Sequence, residues 1–282
     1  DLPSLVPGTP PITQNLETRI WSLGFTEAGG RLGLSARLDA VKKVPHDILG
    51  SIGRGSCLKG YPVQWSLEGA HPYEIGIYDD FLNNVLTALW NSAILNVDLD
   101  EAGMADLLGD GGTDDFPLPV DSLTLKLDWM LPPILNGCDA DGLLLIEVGD
   151  LFLDLDLYSP LFDEGLGEIG VYVYLQIAAE LQMNELDSGE QTIGIQVLGL
   201  DNIQYHWAQV PELFDGAEED LEALLEDELL DGLIDELGEE PLGNLVLPEL
   251  DLGSLSDDLP GGAPLVPVVD EFTRESGHTL IE

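Results

Sequence analysis

The chain has 282 residues, 44% of them hydrophobic, so it is long enough and apolar enough to bury a sizeable core. Its 54 acidic residues against nine basic ones give a formal net charge of -45, which excludes nucleic acid as a natural partner and argues against anionic membrane surfaces. Its apolar runs are shorter than the roughly 18 residues that a transmembrane helix needs.

The first predicted elements are two strand-like segments, 20–25 and 31–40, around an EAGG turn. A lone hairpin is marginally stable in water, so these strands need a further sheet to join. The surrounding sequence also differs in composition, because seven of the nine basic residues lie before residue 60 and only Lys126 and Arg274 follow.

The stretch YDDFLNNVLTALWNSAILNVDLD, residues 78–100, predicts a helix that leads directly into a strand. Its apolar residues recur at i, i+3, i+4 and i+7 and form one stripe: Leu82, Val85, Leu86, Leu89, Trp90 and Ile94. We expect a helix over 79–95 with Asp79 and Asp80 as its N-terminal cap. The alternation in ILNVDLD then indicates a strand.

The next segments alternate apolar and polar residues with a period of two. The apolar positions are Leu123, Leu125 and Leu127, then Leu151, Leu153, Leu155 and Leu157, then Val171, Val173, Leu175, Ile177, Ala179 and Leu181, and finally Ile193, Ile195 and Val197. Each segment predicts a strand with one buried face. Short polar connections such as NELDSGEQ favour an antiparallel meander.

A second helix is predicted over 212–238, where apolar residues form one side and acidic residues crowd the rest, with Pro241 ending it. The order of elements is therefore a helix, several antiparallel strands, a long amphipathic helix and closing strands. This order predicts an α+β fold.

Three segments in this order resemble the tubular lipid-binding family of bactericidal/permeability-increasing protein, lipopolysaccharide-binding protein and the plasma lipid-transfer proteins. They are LWNSAIL at 89–95 leading into a strand, MLPPIL at 130–135, and LVLPELDLGSL at 245–255. The resemblance covers roughly residues 73–282. It implies a strongly twisted antiparallel sheet rolled around a long amphipathic helix into a barrel, with a slot that holds an acyl chain.

The resemblance places the ligand, a lipid or fatty acid, between the sheet and either the helix at 79–95 or the helix at 212–238. The candidate lipid-binding residues are Leu82, Val85, Leu86, Leu89, Trp90, Leu221, Leu225 and Leu229. The alternative for each of them is an ordinary core position. The charge of -45 argues against lipopolysaccharide as the ligand, because the endotoxin-binding members of the family use a basic surface.

A weak internal repeat links the two ends of the chain. FTEAGGRLGLSARLD from Phe25 is similar to FTRESGHTLIE from Phe272, at a spacing of about 247 residues. We therefore expect residues 1–72 to be the last strands of a first barrel or central sheet plus a linker, and residues 73–282 to be one barrel. On this interpretation Asp1 is not a natural domain start, and its strands join an upstream barrel or another chain.

No catalytic motif emerges from the sequence. Cys57 lies near Lys59 but has no defined histidine partner, and the four histidines are isolated from one another, so we predict a protein that is not an enzyme. Cys57 and Cys138 both lie in glycine-rich turn sequence, where they could form a disulfide or remain two unpaired thiols.

The acidic segments 98–115 and 136–142 carry oxygen ligands of the kind that calcium prefers, without the pattern of a twelve-residue calcium loop. Solvated loops are the alternative, and no other cofactor is indicated. We predict an extracytoplasmic lipid-binding protein. The competing hypothesis is an acidic structural or assembly subunit of a surface or filament, whose slot is filled by its own side chains and which works either in brine or with divalent cations between its acidic faces.

Overall fold

A computed structural model describes residues 14–26, 29–41, 75–93, 95–108, 122–136, 143–159, 167–185, 191–214, 216, 218–230, 242–246, 250–251, 264–265, 272–275 and 278–281. Its strands are β1 (Gln14–Thr26), β2 (Gly29–Ala40), β3 (Ile75–Tyr78), β4 (Val97–Leu99), β5 (Ser122–Trp129), β6 (Ile134–Asn136), β7 (Leu144–Tyr158), β8 (Gly167–Glu185), β9 (Gln191–Gln209), β10 (Leu242–Val246), β11 (Leu250–Asp251), β12 (Pro264–Leu265), β13 (Phe272–Glu275) and β14 (His278–Ile281). Its helices are α1 (Asp79–Asn91), α2 (Glu101–Leu108) and α3 (Glu218–Leu224), with a 3-10 turn over Glu212–Phe214 and a π-helical segment over Leu225–Leu230.

The main sheet has seven strands in the order β10-β9-β8-β7-β5-β4, and β6 pairs with β7 beyond the end of β5. Every strand pairing among the described residues is antiparallel. The predicted antiparallel sheet with few helices is thus confirmed as an α+β arrangement. The rolling of this sheet around a long helix stays a prediction.

One face of the main sheet carries the core, as the period-two alternation predicts. Leu125, Leu153 and Val171 lie on three neighbouring strands, and each is at most 2% exposed. The residues at the alternate positions of these strands, such as Lys126 on β5 and Asp156 on β7, are exposed to solvent. The alternation of side chains along a strand therefore decides which face is buried.

A line of strand irregularities crosses the sheet at one level. In β7 the register with β8 shifts between Val148 and Leu151, where Asp150 has a φ of 51°. The register of β8 with β9 shifts between Tyr174 and Gln176, opposite Asn202, whose φ is 52°. The gap between β5 and β6 lies at the same level, since both strands pair with β7 on either side of its bulge. Bulges bend strands and increase their twist, so the sheet bends along this line.

Helix α1 begins at Asp79 as predicted, but its C-terminal end and its N-terminal cap differ from the prediction. It ends at Asn91 rather than at residue 95, and a turn containing Ala93 with a φ of 55° separates it from β4. Its N-cap residue is Tyr78, which makes no side-chain capping bond, and the predicted cap residue Asp79 is buried in the first turn. The expectation of an Asp79 and Asp80 cap was therefore wrong.

Helix α2 was not predicted. It occupies part of the acidic segment 98–115, which we interpreted as a loop or a calcium site. The Asp100 carboxylate accepts a hydrogen bond from the Gly103 backbone N–H at 3.0 Å, as an N-cap side chain does. Met104, on this short helix, is buried in the main core.

The late helix is also shorter in its regular part than predicted. Residues 212–214 form a separate 3-10 turn, α-helical geometry begins at Glu218, and the chain continues with π-helical geometry from Leu225. The positive φ of Gly216 lies between the two segments and interrupts a helix from 212 onward. Positions 231–238 lie outside the described residues.

Strands at the two ends of the sequence form smaller sheets. The predicted hairpin around EAGG is confirmed, with β1 and β2 pairing antiparallel from Gln14–Ala40 to Thr26–Gly29. Strands β13 and β14 form a second hairpin, and β14 pairs with β3, which leads into α1. The internal repeat itself stays a prediction, because aligning Phe25 with Phe272 offsets the two hairpin turns by two residues.

Candidate hydrophobic ligand site

Helix α1 lies along the edge of the main sheet at the gap between β5 and β6. The buried Asn83 side chain accepts a hydrogen bond from the Leu135 N–H at 2.7 Å and donates one to the Leu135 carbonyl at 3.3 Å. Its amide therefore takes the place of a neighbouring strand for β6. This double hydrogen bond fixes the position of the helix, and with it Leu82 and Leu86, against the core.

The other end of α1 is attached to β5. The Trp90 indole N–H donates to the Trp129 carbonyl at 2.5 Å, and the Asn96 side chain hydrogen-bonds both the Trp129 N–H and the Asp128 carboxylate. Trp90 and Leu95 form a separate apolar cluster with Leu89 and Trp129 packed against it. Polar bonds at both ends hold the helix in one register along the sheet.

The late helix packs its apolar side on the same core. Leu221, Leu225 and Leu229 are each at most 3% exposed, at a spacing of four residues. Phe214 from the preceding 3-10 turn and Met104 from α2 fill the same cluster. The helix is therefore an integral part of the core rather than a surface element.

The apolar face is less completely covered along the second half of β9. Ile203, Tyr205 and Trp207 pack against the core but are only half-buried, whereas Val171 and Val173 on the adjoining β8 are fully buried. The Tyr205 and Trp207 rings lie 6.4 Å apart and nearly parallel. These three side chains form a strip, which we call the β9 strip, of apolar surface that water partly reaches.

The β9 strip borders the late helix. The Trp207 indole N–H donates to the Glu222 carboxylate at 3.2 Å, across 15 residues of sequence. This bond ties the strip to the first turns of the helix, beside Leu221 and Leu225. Apolar groups bordered by a few polar ones are the usual lining of a small-molecule site.

The structure divides the candidate lipid-binding residues into groups. One group, Leu82, Leu86, Leu221, Leu225 and Leu229, belongs to the main core around the sheet. Leu89 and Trp90 lie in the separate cluster beside Trp129. Val85 is half-buried on α1. Five of the eight candidates are thus brought together, and their contact with a ligand stays a prediction.

Several residues of this region were not identified from the sequence. The β9 strip occupies odd positions, as Ile193 and Val197 do, but two register shifts in β9 lie between these runs and put Leu200 against the core, which concealed the continuity. The alternation of apolar and polar residues over 203–207, read by itself, would have found it. Asn83 gave no such signal, because its partner Leu135 lies 52 residues away.

The outer face of the sheet is polar around the line of bulges. The Tyr174 hydroxyl donates to the Asp150 carboxylate at 2.5 Å, and the Asn202 amide donates to the Gln176 side chain at 2.7 Å. The hydrogen bond to Asp150, followed by burial and by the negative charge of Asp150, raises the pKa of Tyr174 above its ordinary value. These exposed bonds tie the bulged strands together on the side opposite the core.

The remaining chemical candidates receive no support. Cys57 and Cys138 lie outside the described residues, so their disulfide stays a prediction. Across the described ranges, three or more potential metal ligands nowhere come together. His206 is exposed on β9. In the part of the chain that the structure covers, no helix is long and apolar enough to cross a bilayer.

Comparison with known proteins establishes no family. No family model matches the chain, and no curated protein matches it. Among solved structures, the crystal structure of a lipopolysaccharide binding protein matches with 17% identity and a TM-score of 0.26. The match covers 74% of this chain and 39% of that protein, so the chain spans well under two thirds of it. A superposition of this quality does not define a shared fold.

Proposed function

We propose that this protein binds a hydrophobic molecule with an acyl chain, a lipid or a fatty acid, between its main sheet and its late helix, without catalysing a reaction. The finer form of the proposal is the tubular arrangement, in which the sheet wraps around the helix. Binding would take place outside the cytoplasm. The residues implied are the β9 strip together with Leu86 and the adjoining face of the late helix.

The observation that carries the proposal is the half-buried state of Ile203, Tyr205 and Trp207 beside the fully buried residues of the adjoining strand β8. Two aromatic rings and an aliphatic side chain in a row expose apolar surface that gains free energy when a ligand covers it. The Trp207 indole and the Glu222 carboxylate bond each other at the rim, which leaves apolar groups as the main contact. Recognition would therefore depend on chain length more than on polar groups.

The energetics suit an acyl chain. Each methylene removed from water contributes about 0.8 kcal/mol, so burying roughly ten of them gains about 8 kcal/mol before the entropic costs of association. The surrounding acidity opposes anionic headgroups, since the chain carries a net charge of -45. We therefore expect neutral or zwitterionic lipids to bind better than phosphorylated glycolipids.

Binding of a fluorescent fatty acid to the delipidated full chain tests the proposal. Ile203→Trp replaces an aliphatic side chain of the β9 strip with a bulkier indole ring. This change should weaken fatty-acid binding about tenfold if an acyl chain lies there. The matched control is Leu198→Trp, on the same strand but 49% exposed on the outer face, which should leave uptake unchanged. Leu86→Trp, from the half-buried side of α1, is a second test of the same region.

A second function is favoured by the packing of the late helix. Leu221, Leu225 and Leu229 are almost completely buried, which suits a barrel whose slot is filled by its own side chains. On this alternative the protein is an acidic assembly subunit. If the delipidated protein binds no fatty acid, lipid binding is refuted and the assembly function takes its place. If Ile203→Trp and Leu198→Trp bind fatty acid alike, the β9 strip is not the binding site.

A further inference from the structure

The hairpin β1–β2 has one apolar face that the rest of the described structure leaves open. Its cross-strand pairs place Leu16 opposite Leu38, Ile20 opposite Leu34 and Leu23 opposite Leu32. Ile20 and Leu23 are three residues apart, a spacing that would put them on opposite faces of a regular strand. The register shift between Ile20 and Ser22 compensates for this. One extra residue in β1 therefore keeps these cross-strand pairs at positions of a single face of the hairpin.

This apolar face is exposed to a degree that is unusual for side chains of its kind. Ile20 is 69% exposed, Leu34 57%, Leu16 50% and Leu32 46%. The described contact of the hairpin with α1 includes the Leu38 N–H, which donates to the Asn84 side chain at 2.6 Å. Contiguous apolar surface of this kind marks a site of interaction, and a two-stranded sheet needs a second layer for stability.

On the opposite face of the hairpin, acidic and basic side chains form ion pairs with one another. The Arg37 guanidinium contacts both oxygens of Asp39, at 2.9 and 3.0 Å, and Arg19 lies 3.8 Å from Glu17. Over positions 14–41 three arginines balance Glu17, Glu27 and Asp39, so this segment has no net charge within a chain of -45. The hairpin is an electrically neutral element of a strongly acidic molecule.

The charge distribution identifies the occupant of the apolar face. An anionic bilayer gains nothing from a neutral hairpin and is repelled by the rest of the chain. A cationic partner would prefer the acidic surfaces. The acidic surfaces of two copies of this chain repel each other, and contact through the neutral hairpins keeps those surfaces apart.

We propose that the apolar face of β1–β2 packs against the same face of a second copy of this chain. The contact is isologous, with two hairpins stacked about 10 Å apart as in a β-sandwich and with Ile20 and Leu34 near its centre. Strands of this length span roughly 40 Å, so each copy contributes a narrow patch and the dimer is weak. Salt strengthens the dimer because it screens the repulsion between the acidic surfaces.

Sedimentation velocity of the full chain over a range of concentrations, at about 0.15 M and at molar salt, tests this proposal. We expect a dimer whose fraction increases with both concentration and salt. The double substitution Ile20→Asn, Leu34→Asn leaves the charge unchanged and should weaken dimerisation roughly tenfold or more. Ser35→Asn, an exposed position opposite Arg19 on the other face, is the matched control and should dimerise like the parent chain.

Circular dichroism checks that each variant is folded, and Leu16→Asn provides a second test on the same face if the double variant is not. A chain that stays monomeric at molar salt and high concentration overturns the proposal, as does a double variant that dimerises normally. Flotation of the parent chain, but not of the double variant, with phosphatidylcholine vesicles would assign the face to a bilayer instead.

Discussion

At the scale of single residues, Asn83 joins helix α1 to strand β6. Its amide bonds both the N–H and the carbonyl of Leu135, and Asn83 is only 8% exposed. A helix cannot normally pair with a strand edge, because its own backbone groups are already bonded. A side-chain amide carries N–H donors and a carbonyl acceptor side by side, and this allows α1 to close the edge of β6.

We expect Asn83→Leu to lower the free energy of unfolding by about 2 kcal/mol or more, because two buried backbone groups lose their partners while the volume is kept. Urea unfolding followed by circular dichroism measures the change. Asn84→Ala is the matched control on the next position of the helix. It removes the half-buried bond to the Leu38 N–H and should cost about 1 kcal/mol or less. Equal losses in the two variants would contradict the role assigned to Asn83.

At the scale of elements, the late helix shows how packing overrides unfavourable charge. Glu218, Glu222 and Glu226 follow one another at i, i+4 spacing, and such like-charged pairs destabilise an isolated helix. The buried leucines of the opposite side hold the helix on the sheet regardless. The position of each acidic residue along the helix matters too, because acidic residues stabilise the first turn of a helix and destabilise its later turns.

We therefore expect Glu226→Gln to stabilise the protein by a few tenths of a kcal/mol at low salt, because Glu226 is exposed and lies beyond the first turn. Glu218→Gln should have little effect, since losing the favourable first-turn charge offsets the relief of repulsion. Thermal unfolding at low and at molar salt compares the two. The advantage of Glu226→Gln should disappear at molar salt, and a gain that persists there would have another cause.

At the scale of the whole molecule, the excess of acidic residues causes electrostatic repulsion within the folded chain. The 54 acidic residues and nine basic ones leave most carboxylates without a cationic partner, and repulsion of this kind destabilises a compact state. Two ion pairs lie among the described residues, and both are on the hairpin β1–β2. The stability of the sheet core must therefore come from apolar burial.

The melting temperature should increase steeply as salt is raised from low to molar concentration, because the screening length falls from about 10 Å at 0.1 M to about 3 Å at 1 M. Differential scanning calorimetry in sodium chloride measures this. Comparing sodium chloride with calcium chloride at equal ionic strength separates general screening from bridging by divalent ions. A melting temperature that is flat across the series would contradict the assignment of repulsion as the main destabilising effect.

The sequence by itself determined the strands and the faces they bury. Leu123, Leu125 and Leu127 alternate with polar residues, and a strand has no other way to separate them from water than to place them on one face. The same local argument identified the hairpin around EAGG and the apolar stripes of both helices. These features depend on neighbours within a few residues, which the sequence displays directly.

Only the tertiary structure decided where these elements stop and what they contact. The line of bulges at Asp150 and Asn202, the gap between β5 and β6, and the bond from Asn83 to Leu135 each depend on several strands meeting at one level. The alternation of the β9 strip is present in the sequence, but its half-buried state depends on the elements that pack beside it. Such features are set by contacts between residues distant in sequence, and a local pattern of apolar and polar residues contains no record of them.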